Sequence, residues 1–428
     1  MGSAWGGPKG GTPNVEATIW EEDMEIGRRQ FLGTVLASTA AYSGLFSKAS
    51  AEERKSVRIG YVVSKTGVNA AGAGTTTIPN YELWANDVKE AGGLTLPNGS
   101  KLSLEIIAYD DRSQTEEVVR GIERLARQDE VDFILAPWGT GFNLAAAPLM
   151  ARFGYPQLAG TSIVPHADDF AKRWPNTFWL LGSAESYAKS FVDVVSPQVK
   201  DGTLNGNIAM IAIADGFGIE LSAAARAAFA EAGLKLAMDK TYPLGTQDFG
   251  TLVSEASASG ADIFVAYSYP GDTFAITKQA QLSRYNPKVF HTGVGTSFAI
   301  YPEINGGNVE GVISVGGIDA NSPAIKSYVE RHTKFIGKAP DAWASPVVYA
   351  SLEMLAQAIQ RKGLDRAAVT AELASGTFDT VLGPTKLEGN QLKNLWFTGQ
   401  WQGGHFVGIS PLDKAGATTA VIPKPDWK

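Results

Sequence analysis

Short apolar runs alternate with longer stretches of helical periodicity through most of this chain, and this alternation limits the folds it can adopt. Residues 131–136 (VDFILA) form a largely apolar run of strand length, which is typical of a sheet covered on both faces. The stretch before it, 114–127, places Val118, Ile122 and Leu125 on one helical face. Strands that alternate with helices in this way predict βαβ units and parallel sheets.

The alternation occurs twice, over about residues 57–159 and 184–282, and each run is long enough to form a sheet of its own. After the second run the pattern changes to helices, predicted at 323–335, 343–361 and 365–373, and to short strand-like pieces. The chain has 428 residues, more than one hydrophobic core usually supports. We therefore predict an α/β protein with two lobes.

The N-terminal region contains a candidate export signal. Arg28 and Arg29 precede an uncharged run over 30–47, which is too short and too rich in small and hydroxyl residues to span a membrane. The run is followed by residues 49–51 (ASA), a small-x-small motif of the kind that signal peptidase cleaves. The sequence RRQFL resembles the twin-arginine export pattern, which we favour over ordinary secretion and over a buried core helix.

We therefore expect residues 1–51 to be an export signal region, with the twin-arginine signal itself over 24–51 if Met24 is the true start. No other segment reaches transmembrane length without charged residues. Cleavage after about Ala51 would leave a periplasmic protein.

The composition argues against several classes of function. The formal net charge is −7, so we expect no nucleic-acid partner, which would need a basic face. The chain has no cysteine, which rules out disulfides, thiol nucleophiles and cysteine-based zinc sites. It also lacks the P-loop, HExxH and GxSxG patterns. We expect no catalytic residue, no metal and no cofactor.

His166, with Asp168 and Asp169 shortly after it, is the best remaining candidate for a metal ligand or a general base. An aspartate that caps a helical turn in a solvated loop is the simpler interpretation of this segment. An exported α/β enzyme that uses His166 and Asp169 stays open as an alternative.

Four loops that follow predicted strands supply a candidate ligand site: residues 137–143 (PWGTGFN), 160–165 (GTSIVP), 215–218 (DGFG) and 268–274 (SYPGDTF). Doubly wound sheets bind ligands just beyond the carboxyl ends of their strands. The first two loops offer backbone N–H groups and hydroxyls, and a helix that starts there favours a carboxylate. The last two offer aromatic rings suited to covering an apolar body.

The order and spacing of several segments resemble the type I periplasmic solute-binding proteins of the leucine/isoleucine/valine and amide group, which supply ABC importers. The resemblance covers most of residues 57–401, and its carriers include LAPWGTGFNLAAAPL (135–149), DGFGIELSAAARAAFAEAG (215–233) and GPTKLEGNQLKN (383–394). It implies a fold of two doubly wound parallel-sheet α/β lobes joined by a three-crossing hinge.

The resemblance also implies where the lobes begin and end. We place the crossings near Gly182, Val315 and Lys393. The N-terminal lobe then comprises residues 52–182 and 316–393, and the C-terminal lobe comprises residues 183–315 and 394–428.

Ligand-binding residues are carried over position by position. The family's carboxylate loops fall on Gly139 and Thr140 and on the run from Thr161 to Ile163, and its aromatic positions fall on Phe217 and Tyr269. The full set of expected ligand-binding residues is Trp138, Gly139, Thr140, Thr161, Ser162, Ile163, Phe217, Tyr269, Asp272 and Val294.

Val294 departs from the family pattern. Amino-acid binders often have an acidic residue at this point, which pairs with the ammonium group of the ligand, and a buried ammonium without such a partner is costly. Either Asp215 or Asp272 takes this role, or the ligand has no α-ammonium group.

We expect an exported, non-enzymatic protein that captures a small carboxylate solute and delivers it to an ABC permease. The solute would be a branched-chain or aromatic amino acid or a related organic acid, and the protein a monomer. Two further alternatives stay open beside the enzyme: a sensory protein of the same fold, and an interaction protein without a small ligand.

Overall fold

The computed structural model describes residues 54–427. The predicted export signal region, 1–51, lies outside the described residues. Within the described part, no helix is long and apolar enough to cross a membrane.

The first sheet has four strands in the order β2–β3–β1–β4. β3, β1 and β4 run parallel, and the short β2 pairs antiparallel with β3. Two further strands, β5 and β6, form a separate parallel pair. The strands are β1 (Ser56–Val63), β2 (Leu94–Thr95), β3 (Lys101–Asp110), β4 (Phe133–Leu135), β5 (Gln157–Ala159) and β6 (Thr177–Trp179). The helices between them are α1 (Ala70–Thr76), α2 (Ile78–Glu90), α3 (Thr115–Arg127), α4 (Thr140–Phe153) and α5 (Ala167–Arg173).

The second sheet begins with five parallel strands, which lie in the order β11–β10–β9–β7–β8. They are β7 (Asn207–Ile213), β8 (Lys235–Tyr242), β9 (Ile263–Tyr267), β10 (Val289–Thr292) and β11 (Ile313–Val315). The associated helices are α6 (Ala184–Lys200), α7 (Gly216–Glu231), α8 (Gly250–Ala258), α9 (Pro270–Leu282) and α10 (Tyr301–Ile304).

After β11 the chain returns to the part built on the first sheet, where two helices pack against α2, and a third helix and a small antiparallel pair pack against the second of these. These are α11 (Pro323–Ile336), α12 (Ala344–Lys362), α13 (Arg366–Ser375), β12 (Thr377–Thr380) and β13 (Gly383–Lys386). The chain then completes the second sheet with β14 (Thr398–Gln402) and β15 (His405–Ser410), which are antiparallel.

We call the part built on the first sheet the first lobe and the part built on the second sheet the second lobe. The chain passes between them three times: between β6 and β7, after β11, and before β14. The crossings expected near Gly182, Val315 and Lys393 fall in these segments, and the exact lobe boundaries stay a prediction.

Sequence patterns placed most of the longer elements within a few residues, but they did not predict short elements such as α1, α5 and β6. Both sheets carry antiparallel strands at one edge: β2 pairs with β3 in the first sheet, and in the second sheet a tight Gly403-Gly404 turn lets β15 fold back on β14. Helix α1 has no amphipathic pattern and was not predicted.

Helix α7 lies unusually close to strand β7, and this contact depends on Gly218. A Cβ atom at Gly218 would lie 2.0 Å from the carbonyl oxygen of Ile213, inside any allowed contact distance. Since β7 is buried along nearly its whole length, the strand has no room to move away.

Gly218→Ala should therefore lower the free energy of unfolding by about 1–3 kcal/mol through overpacking. Gly271→Ala is the matched control, since a Cβ atom there meets no atom within 4 Å. It should raise the stability by about 0.4–1 kcal/mol by restricting the unfolded chain. Urea unfolding of both variants measures the difference, and equal stabilities would contradict the close approach.

Candidate ligand-binding cleft

A small cavity of about 20 Å³ lies where the two lobes meet. Eight of the ten residues expected from the sequence line it, and they come from both lobes. The lining residues are Thr76, Trp138, Gly139, Thr140, Thr161, Ile163, Leu181, Phe217, Tyr269, Val294, Trp343 and Ala344.

The N-terminus of helix α4 forms one wall of the cavity. Gly139 precedes the helix with a φ of +89°, a conformation that favours glycine. The first helical hydrogen bond runs from the N–H of Asn143 to the carbonyl of Gly139, at 3.1 Å. The N–H groups of Thr140, Gly141 and Phe142 come before that bond and have no carbonyl partner within the helix. This end of α4 therefore has the character of an anion site.

The hydroxyl groups expected to bind a carboxylate pair with the backbone around them. Thr161 Oγ1 accepts a hydrogen bond from the N–H of Gly139 at 3.0 Å. Thr140 Oγ1 accepts one from the N–H of Ile163 and donates one to the Ile163 carbonyl, both at 3.1 Å. The loops after β4 and β5 are thereby joined into one unit, and a ligand carboxylate would have to exchange with these bonds or use the N–H groups of α4.

Aromatic side chains form the rest of the wall. The rings of Phe217 and Tyr269 stack with 5.3 Å between centroids and 21° between planes. On the opposite side Trp138 lies 5.3 Å from Tyr269, tilted by 53°, so this contact joins the first lobe to the second. The indole N–H of Trp138 donates to Thr76 Oγ1 at 2.9 Å, and Gly72 leaves space for its ring.

Four helices begin at the cavity, and three of them already have a carboxylate at their start. For α7, Asp215 Oδ1 accepts from the N–H of Gly218 at 3.1 Å. For α9, Asp272 in the first turn accepts from the N–H of Tyr269 at 3.4 Å. For α12, Asp341 accepts from the first N–H groups, with 2.6 Å to that of Ser345. The first turn of α4 contains no acidic residue, so α4 alone lacks such a carboxylate.

Burial changes the ionisation of these three aspartates. It raises the pKa of Asp272 and of Asp341 to about 6, and it also raises the pKa of Asp215. Asp215 also accepts a hydrogen bond from the hydroxyl of Tyr269 at 2.5 Å. Tyr242 donates to Asp272 at 3.2 Å. Asp215 and Asp272 thus bind the backbone and the tyrosines around them, and neither lines the cavity.

Two of the ten expected residues lie outside the lining. Asp272 stands behind Tyr269 as described, and Ser162 is fully buried, with a hydroxyl that makes no hydrogen bond to any residue in the described part. A direct role in ligand binding for these two has no support from the geometry.

The alternative catalytic pair, His166 and Asp169, is exposed. His166 lies 3.7 Å from Glu185, and Asp169 contacts Lys172 at 3.2 Å.

Four lining residues were not expected from the sequence: Thr76, Leu181, Trp343 and Ala344. Thr76 is the last residue of helix α1, and the sequence of this helix has no amphipathic pattern from which it could be predicted. Trp343 and Leu181 have the hydrophobic character of core residues, and only the meeting of α12 with the first crossing places them at the cavity. Among residues 54–427 no group of three or more potential metal-ligating side chains comes together.

Comparison with known proteins agrees with this architecture. The family model described as periplasmic binding protein matches residues 56–405, so the chain belongs to the periplasmic binding protein family. The Leu/Ile/Val-binding protein homolog 7 of Brucella suis biovar 1 (strain 1330) is 22% identical over 373 residues, which cover 82% of this chain and 90% of the relative.

Solved structures with the same fold include two ligand complexes. LivJ from Streptococcus pneumoniae, a branched-chain amino acid transporter substrate binding protein in complex with isoleucine, has a TM-score of 0.71 at 17% identity and covers 87% of this chain and 100% of its own. The second is a solute binding protein of an ABC transporter from Rhodopseudomonas palustris BisB5 in complex with 3,4-dihydroxy benzoic acid. It has a TM-score of 0.70 at 16% identity, and the match covers 87% of this chain and 98% of that protein. The predicted type I periplasmic binding fold is confirmed.

The raised pKa of Asp341 predicts a pH dependence of stability. Because the folded state binds this proton more tightly than the unfolded chain, the free energy of unfolding should fall as the pH rises from about 4 to about 6. Asp341→Asn should remove up to about 3 kcal/mol of that change. Thermal unfolding between pH 4 and 7.5 tests this, and an unchanged pH profile in the variant would contradict it.

Proposed function

We propose that this protein is the substrate-binding component of an ABC importer. It is exported to the periplasm, captures a small carboxylate solute between its two lobes and delivers the solute to a permease in the inner membrane. The solute is a branched-chain or aromatic amino acid or a related organic acid. The protein acts as a monomer and performs no chemical reaction.

The observation that carries this proposal is a cavity between the two lobes that has the uncapped end of α4 on one side and aromatic rings on the other. A carboxylate at α4 would accept hydrogen bonds from its first N–H groups and benefit from the helix dipole. The apolar body of the solute would contact Trp138 from the first lobe and Tyr269 from the second. Because these contacts form together only when the lobes are close, binding favours the closed arrangement.

The comparisons support a carboxylate ligand. The two similar structures contain isoleucine and 3,4-dihydroxy benzoic acid. These molecules differ in shape, and only isoleucine has an amine, but both have a carboxylate. Export rests on the sequence of residues 1–51, and delivery to a permease rests on the family.

Gly141→Asp tests the carboxylate site at α4. A side chain fits there without a clash, because a Cβ atom at Gly141 would meet no atom within 4 Å. The new carboxylate would occupy the N-terminus and repel that of the ligand, and we expect at least a tenfold loss of affinity. Gly141→Asn is the matched control, with similar size and no charge, and it should bind within about threefold of the parent protein.

Isothermal titration with L-isoleucine, L-phenylalanine, benzoate and 3,4-dihydroxybenzoate supplies the affinities, taking the tightest binder for the comparison. Thermal unfolding checks that Gly141→Asp folds, and an acid in the first turn of a helix should not lower its stability. Equal affinities of the Asp and Asn variants would show that the carboxylate binds elsewhere.

A further inference from the structure

We infer that the ligand is an aromatic carboxylate without an ammonium group, whose ring enters between Trp138 and Tyr269. This inference rests on the proposed function and narrows its substrate class. Three features of the cleft lead to it: the absence of acidic residues among the described cavity-lining side chains, the apolar side chain of Val294, and the geometry of the aromatic rings.

The acidic residues near the cleft have other partners. Asp215 binds the start of α7 and the hydroxyl of Tyr269, and Asp272 binds the start of α9 and the hydroxyl of Tyr242. Asp341 caps α12. None of these carboxylates reaches the cavity lining. An ammonium group brought into the cleft would lose its water without gaining a carboxylate, which is strongly unfavourable.

Val294 follows strand β10 and supplies an apolar part of the cavity wall. It lines the cavity, its side chain is 5% exposed, and its N–H donates to the Ser268 carbonyl at 2.8 Å. The backbone is therefore fixed by strand β9 and its loop, and the side chain presents only methyl groups. This wall suits an apolar part of a ligand.

The rings of Trp138 and Tyr269 define a slot that opens and closes with the lobes. The remaining space of about 20 Å³ holds little more than one water molecule, so a ring enters only when the lobes part. When the lobes close again, the ring of the ligand would lie between Trp138 and Tyr269. Their direct contact would then be replaced by two contacts with the ligand, one from each lobe. Phe217 supports Tyr269 from behind, and Asp215 holds its hydroxyl, so this side of the slot is rigid.

A quaternary ammonium carboxylate is the main competing ligand, because aromatic cages bind such cations without an acid. A cage needs ring faces that point to a common centre. Phe217 and Tyr269 instead turn their faces to one another at 21°, which leaves the other face of Tyr269 and the ring of Trp138, tilted by 53° to it, as the two surfaces open to a ligand. Two surfaces suit a flat ring better than a round cation.

The test is isothermal titration of the unmodified protein at pH 7.5 with matched pairs of ligands. L-Phenylalanine is compared with 3-phenylpropanoate, and L-leucine with 4-methylpentanoate, since each pair differs only by the amine. Benzoate and glycine betaine complete the set. We expect 3-phenylpropanoate or benzoate to bind tightest, and at least tenfold tighter than either amino acid.

Tighter or comparable binding of an amino acid, of 4-methylpentanoate or of glycine betaine would overturn the inference and leave the proposed carboxylate-binding function standing. Failure of every compound to bind would overturn both. The two failures are thus distinguished within one experiment.

Val294→Glu and Val294→Gln provide a second measurement with matched size. If Val294 faces the carbon that would carry an amine, the Glu variant should shift the affinity ratio towards L-phenylalanine at least tenfold relative to the Gln variant. An identical ratio in both would overturn this placement of Val294. The wild-type comparison remains decisive if either variant fails to fold.

Discussion

The site depends on one electrostatic arrangement: four helices point their N-termini at the same small volume. Each end carries partial positive charge, and three of the ends are balanced by Asp215, Asp272 and Asp341. Burial desolvates all three carboxyls and thereby raises the pKa of each. The fourth end, at Gly139, has no acidic side chain of its own and is the proposed position of the ligand carboxylate. Fold and proposed function therefore rest on the same balance of charge.

The hinge and the cleft share a residue. Trp343 lines the cavity and donates its indole N–H to the hydroxyl of Tyr187 at 2.8 Å, and that hydroxyl donates to the Leu181 carbonyl at 2.8 Å. Gly316 provides the space for the indole, and Phe397 packs edge-on against Tyr187. Leu181, Gly316 and Phe397 belong to the three connections between the lobes, so the crossings meet around one pair of side chains. A ligand that moves Trp343 acts directly on all three.

Sequence patterns predicted the fold class, most of the longer elements and seven of the twelve cavity-lining positions, because loops after parallel strands must gather at one edge of a sheet. The family resemblance added an eighth, Val294. Thr76 and Trp343 escaped prediction for a physical reason. They reach the cavity through the packing of α1 and α12 from distant parts of the chain, which local periodicity does not encode. Asp272 was expected in the site because an acid near a ligand suggests a partner for an ammonium, but its carboxylate serves the backbone of its own helix.

The bonds that join the two carboxylate loops have a thermodynamic consequence. Thr161 holds the N–H of Gly139, and Thr140 holds both backbone groups of Ile163, so these loops are ordered before any solute arrives. Capture then costs little conformational entropy at this end of the cleft. Under the proposed function, most of the binding free energy would remain available to bring the lobes together, and the lifetime of the complex would follow the rate at which they separate.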